Sequence, residues 1–186
     1  AVQGLGYNYK GLNEVLKKQA DKLWHISNYF YNEPVSEAGQ KLLEVSGMEK
    51  VFFTNSGTEA IEGAIKIAKK YGKSTGGRNE IIAMEGSFHG RSIGALSVTG
   101  NEHYREAFNP LLPGIKFAKY NDIQSVKNLV TDKTCAIILE TVQGEGGIHP
   151  AAKEFLTDIK KLTDEHDLIL ILDEIQCGMG RTGQYF

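Results

Sequence analysis

Several features that mark special classes of protein are scarce or missing in this sequence. It has only two cysteines, Cys135 and Cys177, without Cys-x-x-Cys spacing, so a reduced, cytoplasmic protein is the simplest interpretation. A basic excess is also missing, because 21 Lys and Arg oppose 23 Asp and Glu, and this balance does not favour nucleic acid or an anionic membrane as partner. Apolar runs are strand-length, well short of the roughly twenty residues of a membrane helix, and no signal-peptide pattern opens the chain.

Two motifs of nucleotide-binding proteins are present only in part. Gly72-Lys73-Ser74 resembles the end of a P-loop, but Ile67 stands where its first glycine is required, within a helical stretch. The run from Gly178 to Gly183 fits G-x-G-x-x-G, yet it does not directly follow a strand. The chain also ends before the acidic residue expected about twenty positions later. Neither a P-loop nucleotidase nor a dinucleotide-binding fold is indicated.

The length of 186 residues is enough to bury a core, and one domain is the default expectation. The chain does not begin with Met and finishes at Gln184-Tyr185-Phe186, just after a glycine-rich stretch. We therefore expect a fragment of a longer protein.

Strand and helix patterns alternate along most of the chain. This alternation predicts an α/β fold with a largely parallel sheet. The predicted strands are 51–54, 80–84, 93–99, 115–118, 135–139 and 168–172. The predicted helices are 12–24, 35–45, 57 onward, 122–130 and 153–166.

The five apolar residues 168–172 predict a strand buried on both faces, and Asp173 follows directly. In open α/β sheets ligands bind beyond the carboxyl ends of the strands, so Asp173 is a candidate site residue. A carboxylate here could cap the following turn, or it could face the protonated ring nitrogen of pyridoxal phosphate.

Three further strand ends carry residues suited to a ligand. Ser56 and Glu59 have capping-box spacing at a helix start, where a phosphate could bind, although the same pattern is also a common cap. Phe88 could cover a flat ring and Arg91 could grip a carboxylate, although single residues of these types are more often core and surface. We interpret Glu140 and Glu145 as acids that shape the site, with arginine partners rather than a metal.

Four segments in this order resemble the class III aminotransferases of the pyridoxal phosphate type I fold. They are Ser-Gly-Thr-Glu-Ala at 56–60, Phe-His-Gly-Arg at 88–91, Gln-Gly-Glu-Gly-Gly at 143–147, and Asp-Glu-Ile-Gln followed by Gly-Met-Gly-Arg-Thr-Gly at 173–183. The resemblance covers essentially the whole chain and implies a type I transferase fold, incomplete here. Residues 1–45 would contribute to a small domain and interface, and residues 46–186 would form part of a large cofactor-binding domain.

The resemblance also implies roles for individual residues. Cofactor contacts would come from Ser56, Gly57, Thr58, Phe88, Asp173 and Gln176. Arg91 would hold a substrate carboxylate, Glu145 would lie against a second substrate-binding arginine outside this chain, and Tyr31 would lie on the substrate side. Such enzymes bind the cofactor through a lysine on a later loop, and no lysine here lies in a matching motif, so the catalytic residue is unknown.

Departures from the family pattern are Thr141, where proline is usual, and Ser92, where threonine is common. The implied activity is transfer of the δ-amino group of N-acetylornithine to 2-oxoglutarate in a homodimeric enzyme. Ornithine, 4-aminobutyrate and succinyl-diaminopimelate are alternative donors. Two readings of other kinds stay open: a non-catalytic module that binds a phosphate ligand, and a proteolytic remnant held by a partner.

Overall fold

The computed structural model describes residues 3–186, so Ala1 and Val2 lie outside the described residues. The chain forms two compact units. The first comprises the residues up to Phe52 together with Gly178–Phe186, and the second is Phe53–Cys177. The predicted domains, residues 1–45 and 46–186, stay a prediction.

The first unit contains helices α1, Lys10–Ala20, and α2, Glu33–Ser46. Helix α2 begins where Asn32 Oδ1 accepts a hydrogen bond from the N–H of Val35, and it ends at Gly47, whose positive φ allows the left-handed turn. Helix α1 was expected to reach Trp24 but ends four residues earlier. The amide of Gln19 bonds to the carbonyl of Leu23, which holds the chain in a turn there.

The second unit is built on a four-stranded parallel sheet. Its strands are β1 (Glu80–Met84), β2 (Ile115–Ala118), β3 (Thr134–Glu140) and β6 (Ile169–Asp173), in the order β2-β1-β3-β6. A two-stranded antiparallel ribbon pairs β4 (Val142–Gln143) with β5 (His149–Pro150). The helices are α3 (Gly57–Ser74), α4 (Ile93–Ser97), α5 (Glu102–Arg105), a 3₁₀ turn at Glu106–Phe108, α6 (Ile123–Lys127) and α7 (Lys153–Glu165).

The sheet has a hydrophobic core on each face, because alternate strand residues point to opposite sides. On one face α3 contributes Ile61 and Ile65, which pack with Ile81 and Ile138. On the other face α7 contributes Phe155 and Ile159, which pack with Ile82 and Ile137. The predicted α/β class with a parallel sheet is confirmed.

Three expected strands differ from what is observed. Residues 51–54 form no strand, and residues 93–97 form helix α4. The strand 168–172 exists as β6, but it is an edge strand with Leu172 43% exposed, and the fully buried strand is β3. The pairing explains the difference, since in the described residues β6 bonds only to β3, whereas β3 lies between β1 and β6.

Candidate functional site

A cleft of about 200 Å³ lies where the strand ends of the second unit meet the start of α3. It is lined by Ser56, Gly57, Thr58, Phe88, His89, Gly90, Glu140, Asp173, Ile175 and Gln176. All six residues predicted to contact the cofactor are among them. The parallel sheet accounts for this convergence, because its carboxyl ends open at one edge.

The start of α3 supplies hydrogen-bond donors to the cleft. Ser56 is the N-cap, and its Oγ accepts from the N–H of Glu59 at 3.2 Å. In a capping box the Glu59 side chain would accept from the N–H of the N-cap residue, Ser56. Here it accepts instead from the N–H of Asn55, one residue earlier, at 2.7 Å. The first-turn N–H groups of a helix have no acceptor within the helix, so those of Gly57 and Thr58 suit an anion.

The segment after β1 is fixed against the sheet and α3 by hydrogen bonds and close packing. The N–H of Phe88 donates to Glu140 Oε2 at 3.1 Å, and the N–H of His89 donates to Thr99 Oγ1 at 3.0 Å. Gly90 has φ +133°, and a Cβ there would lie 2.5 Å from Thr58 Oγ1. A larger residue at 90 would therefore push this segment away from the start of α3.

Asp173 ends β6 with both carboxylate oxygens engaged. Oδ2 lies 2.7 Å from His89 Nδ1, and Oδ1 accepts from the N–H of Ile175 at 3.0 Å. The His89 side chain is fully buried and its Nε2 has no hydrogen-bond partner among the described residues. A neutral imidazole that carries its proton on Nδ1 satisfies this arrangement, since it donates to the Asp173 carboxylate and leaves no buried N–H unpaired.

Glu140 is a second buried acid, directly across from Asp173 in the β3–β6 register. Burial raises the pKa of Glu140 to about 6, while the N–H of Phe88 favours the charged form. The neighbouring Tyr120 donates its hydroxyl to the carbonyl of Glu140 at 2.8 Å. Burial, then the negative charge of Glu140, raises the pKa of Tyr120.

Arg91 lies beside a second cavity of about 210 Å³, lined also by Leu96, His103, Tyr104 and Phe108. Its guanidinium carbon is 5.9 Å from the ring centroid of Phe88 and 5.7 Å from that of Tyr104, which is cation–π range. Arg91 is exposed and forms no ion pair within residues 3–186. The Arg91 guanidinium is therefore positioned by two aromatic rings, and no carboxylate of the described residues neutralises it.

The remaining predicted residues lie in two places. Glu145 is close to the cleft, because Gln176 Nε2 is 3.5 Å from Glu145 Oε1, at the limit of a hydrogen bond. Tyr31 belongs to the first unit, where its side chain is fully exposed, and its substrate-side role stays a prediction. Among the described residues no arginine forms an ion pair with Glu140. Glu140 instead accepts a hydrogen bond from the N–H of Phe88, because the main chain after β1 passes close to the end of β3. The arginine expected against Glu145 was predicted outside this chain, so that contact stays a prediction.

Sequence reasoning missed His89 and Ile175 as members of the cleft. His89 stands inside the Phe-His-Gly-Arg motif, but its partner is 84 residues away and no local spacing signals the pair. Ile175 follows Asp173 by two residues, and its side chain lies so near Gly57 that a Cβ there would be 2.7 Å from Ile175 Cγ2.

Two other kinds of feature are absent from residues 3–186. None of the helices described has the length and apolarity needed to cross a membrane. No group of three or more His, Cys, Asp and Glu side chains within this range is arranged to hold a metal ion.

Comparison with known proteins gives close relatives along the whole chain. A probable mitochondrial acetylornithine aminotransferase of Dictyostelium discoideum is 52% identical over 99% of this chain and 42% of its own length. A succinylornithine transaminase of Salmonella typhimurium is 45% identical over all of this chain and 46% of its own length. The crystal structure of N-acetylornithine aminotransferase from Stenotrophomonas maltophilia K279a superposes with a TM-score of 0.83 at 39% identity, over 100% of this chain and 46% of that one.

The chain spans less than half the length of these relatives. The structural likeness confirms the predicted type I transferase fold. The family model described as aminotransferase class III matches residues 1–186, so the chain belongs to the class III aminotransferases.

Proposed function

We propose that the full-length protein is an acetylornithine aminotransferase. It would transfer the δ-amino group of N-acetylornithine to 2-oxoglutarate and release N-acetylglutamate semialdehyde and glutamate, a step of arginine biosynthesis. Relatives that carry this name and match the whole chain at 48–52% identity support the proposal. The observation that carries it is the meeting of Ser56, Phe88 and Asp173 at one cleft.

Class III aminotransferases depend on pyridoxal phosphate, and the cleft has features that fit it. The cofactor has a phosphate, a flat ring and a ring nitrogen that is protonated in the active form. The first turn of α3 offers N–H donors for a phosphate, and Phe88 and Ile175 offer apolar surface for a ring. The buried Asp173 carboxylate accepts from two donors and has lone pairs left for a third. A buried carboxylate is costly without such partners, and a protonated ring nitrogen would be a suitable one.

When bound, pyridoxal phosphate supplies an electron-withdrawing ring that stabilises negative charge on the substrate carbon. The residues of this chain prepare the cleft for it. Asp173 would lie opposite the protonated ring nitrogen, and His89 holds that carboxylate in place by donating from Nδ1. Gln176 would offer its amide to the ring hydroxyl, and Ser56, Gly57 and Thr58 would bind the phosphate.

Substrate binding is assigned to charged and aromatic residues at the margin of the cleft. Arg91 would bind a substrate carboxylate with a guanidinium that is already oriented by the rings of Phe88 and Tyr104. Glu145 would pair with an arginine outside this chain, and Tyr31 would contact the substrate. We assign the lysine that binds the cofactor covalently to no residue of this chain.

We further propose a homodimer that works in the cytoplasm. Two observations support this assembly and location. The first unit exposes large aromatic side chains, among them Trp24, Tyr29 and Phe30, and in the full-length protein this apolar surface would be covered by the rest of the chain or by a second subunit. Cys135 and Cys177 are both free thiols, as expected in a reducing compartment.

N-Succinylornithine is a second candidate donor, because a relative with that specificity matches the whole chain at 45% identity. Ornithine, 4-aminobutyrate and succinyl-diaminopimelate stay as alternatives. The full-length protein, loaded with pyridoxal phosphate, should be assayed with each donor and 2-oxoglutarate. We expect kcat/KM to be highest for N-acetylornithine, and a higher value for any other donor would replace the assignment.

Asp173→Ala in the same protein should lower kcat roughly a hundredfold or more, because the ring nitrogen loses its carboxylate. Asp132→Ala, at an exposed loop position, is the matched control and should keep wild-type rates. Wild-type turnover by Asp173→Ala would remove Asp173 from the site. If the wild-type protein does not bind pyridoxal phosphate, the acetylornithine and the succinylornithine aminotransferase proposals are both wrong.

A further inference from the structure

The main chain that carries Phe88 is tied to the ends of two neighbouring strands. Phe88 donates its N–H to Glu140 at the end of β3, and the next residue, His89, contacts Asp173 at the end of β6. Glu140 and Asp173 are register partners across β3 and β6. Two consecutive residues of this segment are thus placed by two buried carboxylates that lie side by side.

We infer that Glu140 is a positioning residue of the proposed cofactor site, which fixes the ring of Phe88 through a hydrogen bond to the Phe88 main chain. The inference rests on the proposed function for its ligand, pyridoxal phosphate, but its contact lies wholly within this chain. Glu140 would touch no reacting atom. It acts by holding the aromatic wall of the cleft in place.

The burial of Glu140 indicates that this carboxylate has a specific role besides filling space in the core. Glu140 as a whole residue is 3% exposed, and a buried acid is costlier than an apolar residue of the same volume unless donors compensate it. The N–H groups of Phe88 and Gly144 favour its charged form, while burial and the nearby Asp173 oppose it. The hydrogen bond with Phe88 spans 52 residues of sequence, so it joins two separate strand ends.

The ring of Phe88 is supported from a second direction. Tyr104 meets it edge-on, with ring centroids 6.0 Å apart and an interplanar angle of 80°. The main-chain bond to Glu140 and the edge contact with Tyr104 together restrict the ring. Loss of the bond should therefore let the Phe88 main chain move and weaken the stacking surface, while the Phe88 ring itself is kept.

Three variants of Glu140 separate the acceptor from the charge. Glu140→Gln keeps an oxygen that can accept from the N–H of Phe88, Glu140→Met removes it with little change of shape, and Glu140→Asp keeps the charge but withdraws the oxygen. Asp122→Ala is the matched control, since Asp122 Oδ1 also accepts a main-chain N–H, that of Ser125 at 3.0 Å, at the start of α6. Asp122 is not among the residues lining the cleft.

The first measurement is amide hydrogen exchange of the peptide containing Phe88 in the full-length, cofactor-free protein. We expect exchange about tenfold faster in Glu140→Met and Glu140→Asp, and close to wild type in Glu140→Gln and Asp122→Ala. The second is the dissociation constant for pyridoxal phosphate, followed with the visible circular dichroism of the bound ring. It should rise about tenfold in Glu140→Met and Glu140→Asp, and no more than about threefold in Glu140→Gln.

Wild-type exchange and wild-type cofactor affinity in Glu140→Met would overturn the inference. If Glu140→Met fails to fold, Glu140→Asp decides by the same two readouts. Equal losses in Glu140→Gln and Glu140→Met would also overturn it, because the acceptor would then not matter. If the wild-type protein does not bind pyridoxal phosphate, the proposed function fails, while the exchange data still decide whether Glu140 holds the Phe88 main chain.

Discussion

Asp173 shows how one side chain satisfies two interpretations that its sequence context left open. Its Oδ1 caps the following turn by accepting from Ile175, and its Oδ2 accepts from His89 while the side chain lines the cleft. A carboxylate has about four lone-pair positions, so these two donors do not exhaust it. The capping role and the proposed contact with a ring nitrogen are compatible at this residue.

Glu140 gives the residue-scale prediction, through its pKa. Because burial raises the pKa of Glu140 to about 6 from an ordinary value near 4.5, the folded state binds the proton more tightly than the unfolded state. This contribution to stability is fully present below the unfolded pKa and is lost as pH rises through 6. We expect the free energy of unfolding of wild type, relative to Glu140→Gln, to fall by about 2 kcal/mol between pH 4 and pH 7.5.

Urea unfolding of both cofactor-free proteins across this pH range measures the difference. The Gln variant keeps every other titratable group, so contributions to stability that do not depend on the Glu140 charge cancel in the difference. His89 and Asp173 are the charged groups that face Glu140. A difference that does not change with pH would show that Glu140 titrates normally. A difference that grows with pH would mean that hydrogen bonding to the carboxylate outweighs the cost of its burial.

At the scale of elements, helix α4 shows a tertiary contact overriding local pattern. Residues 93–99 have the composition of a strand, but the Glu62 side chain of α3 accepts from Ser92 Oγ and from the N–H groups of Gly94 and Ala95. These donors belong to the first turn of α4, whose own N-cap Ser92 makes no side-chain cap. Glu62 thus caps α4 from a neighbouring helix.

Glu62→Ala should destabilise the full-length protein by about 2 kcal/mol, because donors of α4 lose a charged acceptor. The matched control is Lys66→Ala, at an exposed position one turn further along the same helix, and it should change stability by less than about 0.5 kcal/mol. Chemical denaturation of both variants checks the difference. Equal effects would show that α4 does not depend on the Glu62 contact.

At the scale of the whole molecule, ligand binding and folding should be coupled. A ligand that binds only the folded protein stabilises it by about 2.7 kcal/mol at a hundred times its dissociation constant. We expect pyridoxal phosphate to raise the melting temperature of the full-length protein, which includes the lysine that binds the cofactor. Pyridoxal, which lacks the phosphate, should raise the melting temperature by a smaller amount. The phosphate would be bound by the start of α3, which pyridoxal cannot use.

Gly57→Ala should reduce this cofactor-dependent stabilisation, since its Cβ would lie 2.7 Å from Ile175 Cγ2 and displace that side chain. Thermal unfolding with and without cofactor separates the two effects, because the cofactor-free melting temperature reports any general damage. An unchanged increase with pyridoxal phosphate in Gly57→Ala would argue that the ligand does not approach the backbone there.

Much of the molecule could be predicted from the sequence, for local physical reasons. The strands 80–84 and 115–118 and the helix after Ser56 follow from apolar runs, period and a cap within a few residues of one another. Ser56, Gly57, Phe88 and Asp173 could be proposed because they follow a predicted strand or begin a helix, and parallel strands present such ends at one edge. Thr58 and Gln176 were added by the family resemblance. The roles of these residues remain proposals.

The sequence by itself determined the α/β class, the family and the strand ends that carry polar residues, because period, capping and motif are encoded over short distances. Only the tertiary structure decided that residues 93–97 are helical and that His89 pairs with Asp173. Each of these depends on partners tens of residues away. Whether a residue is buried, and which group bonds to it, depends on the assembled sheet. The local sequence does not indicate which distant residue will be its partner.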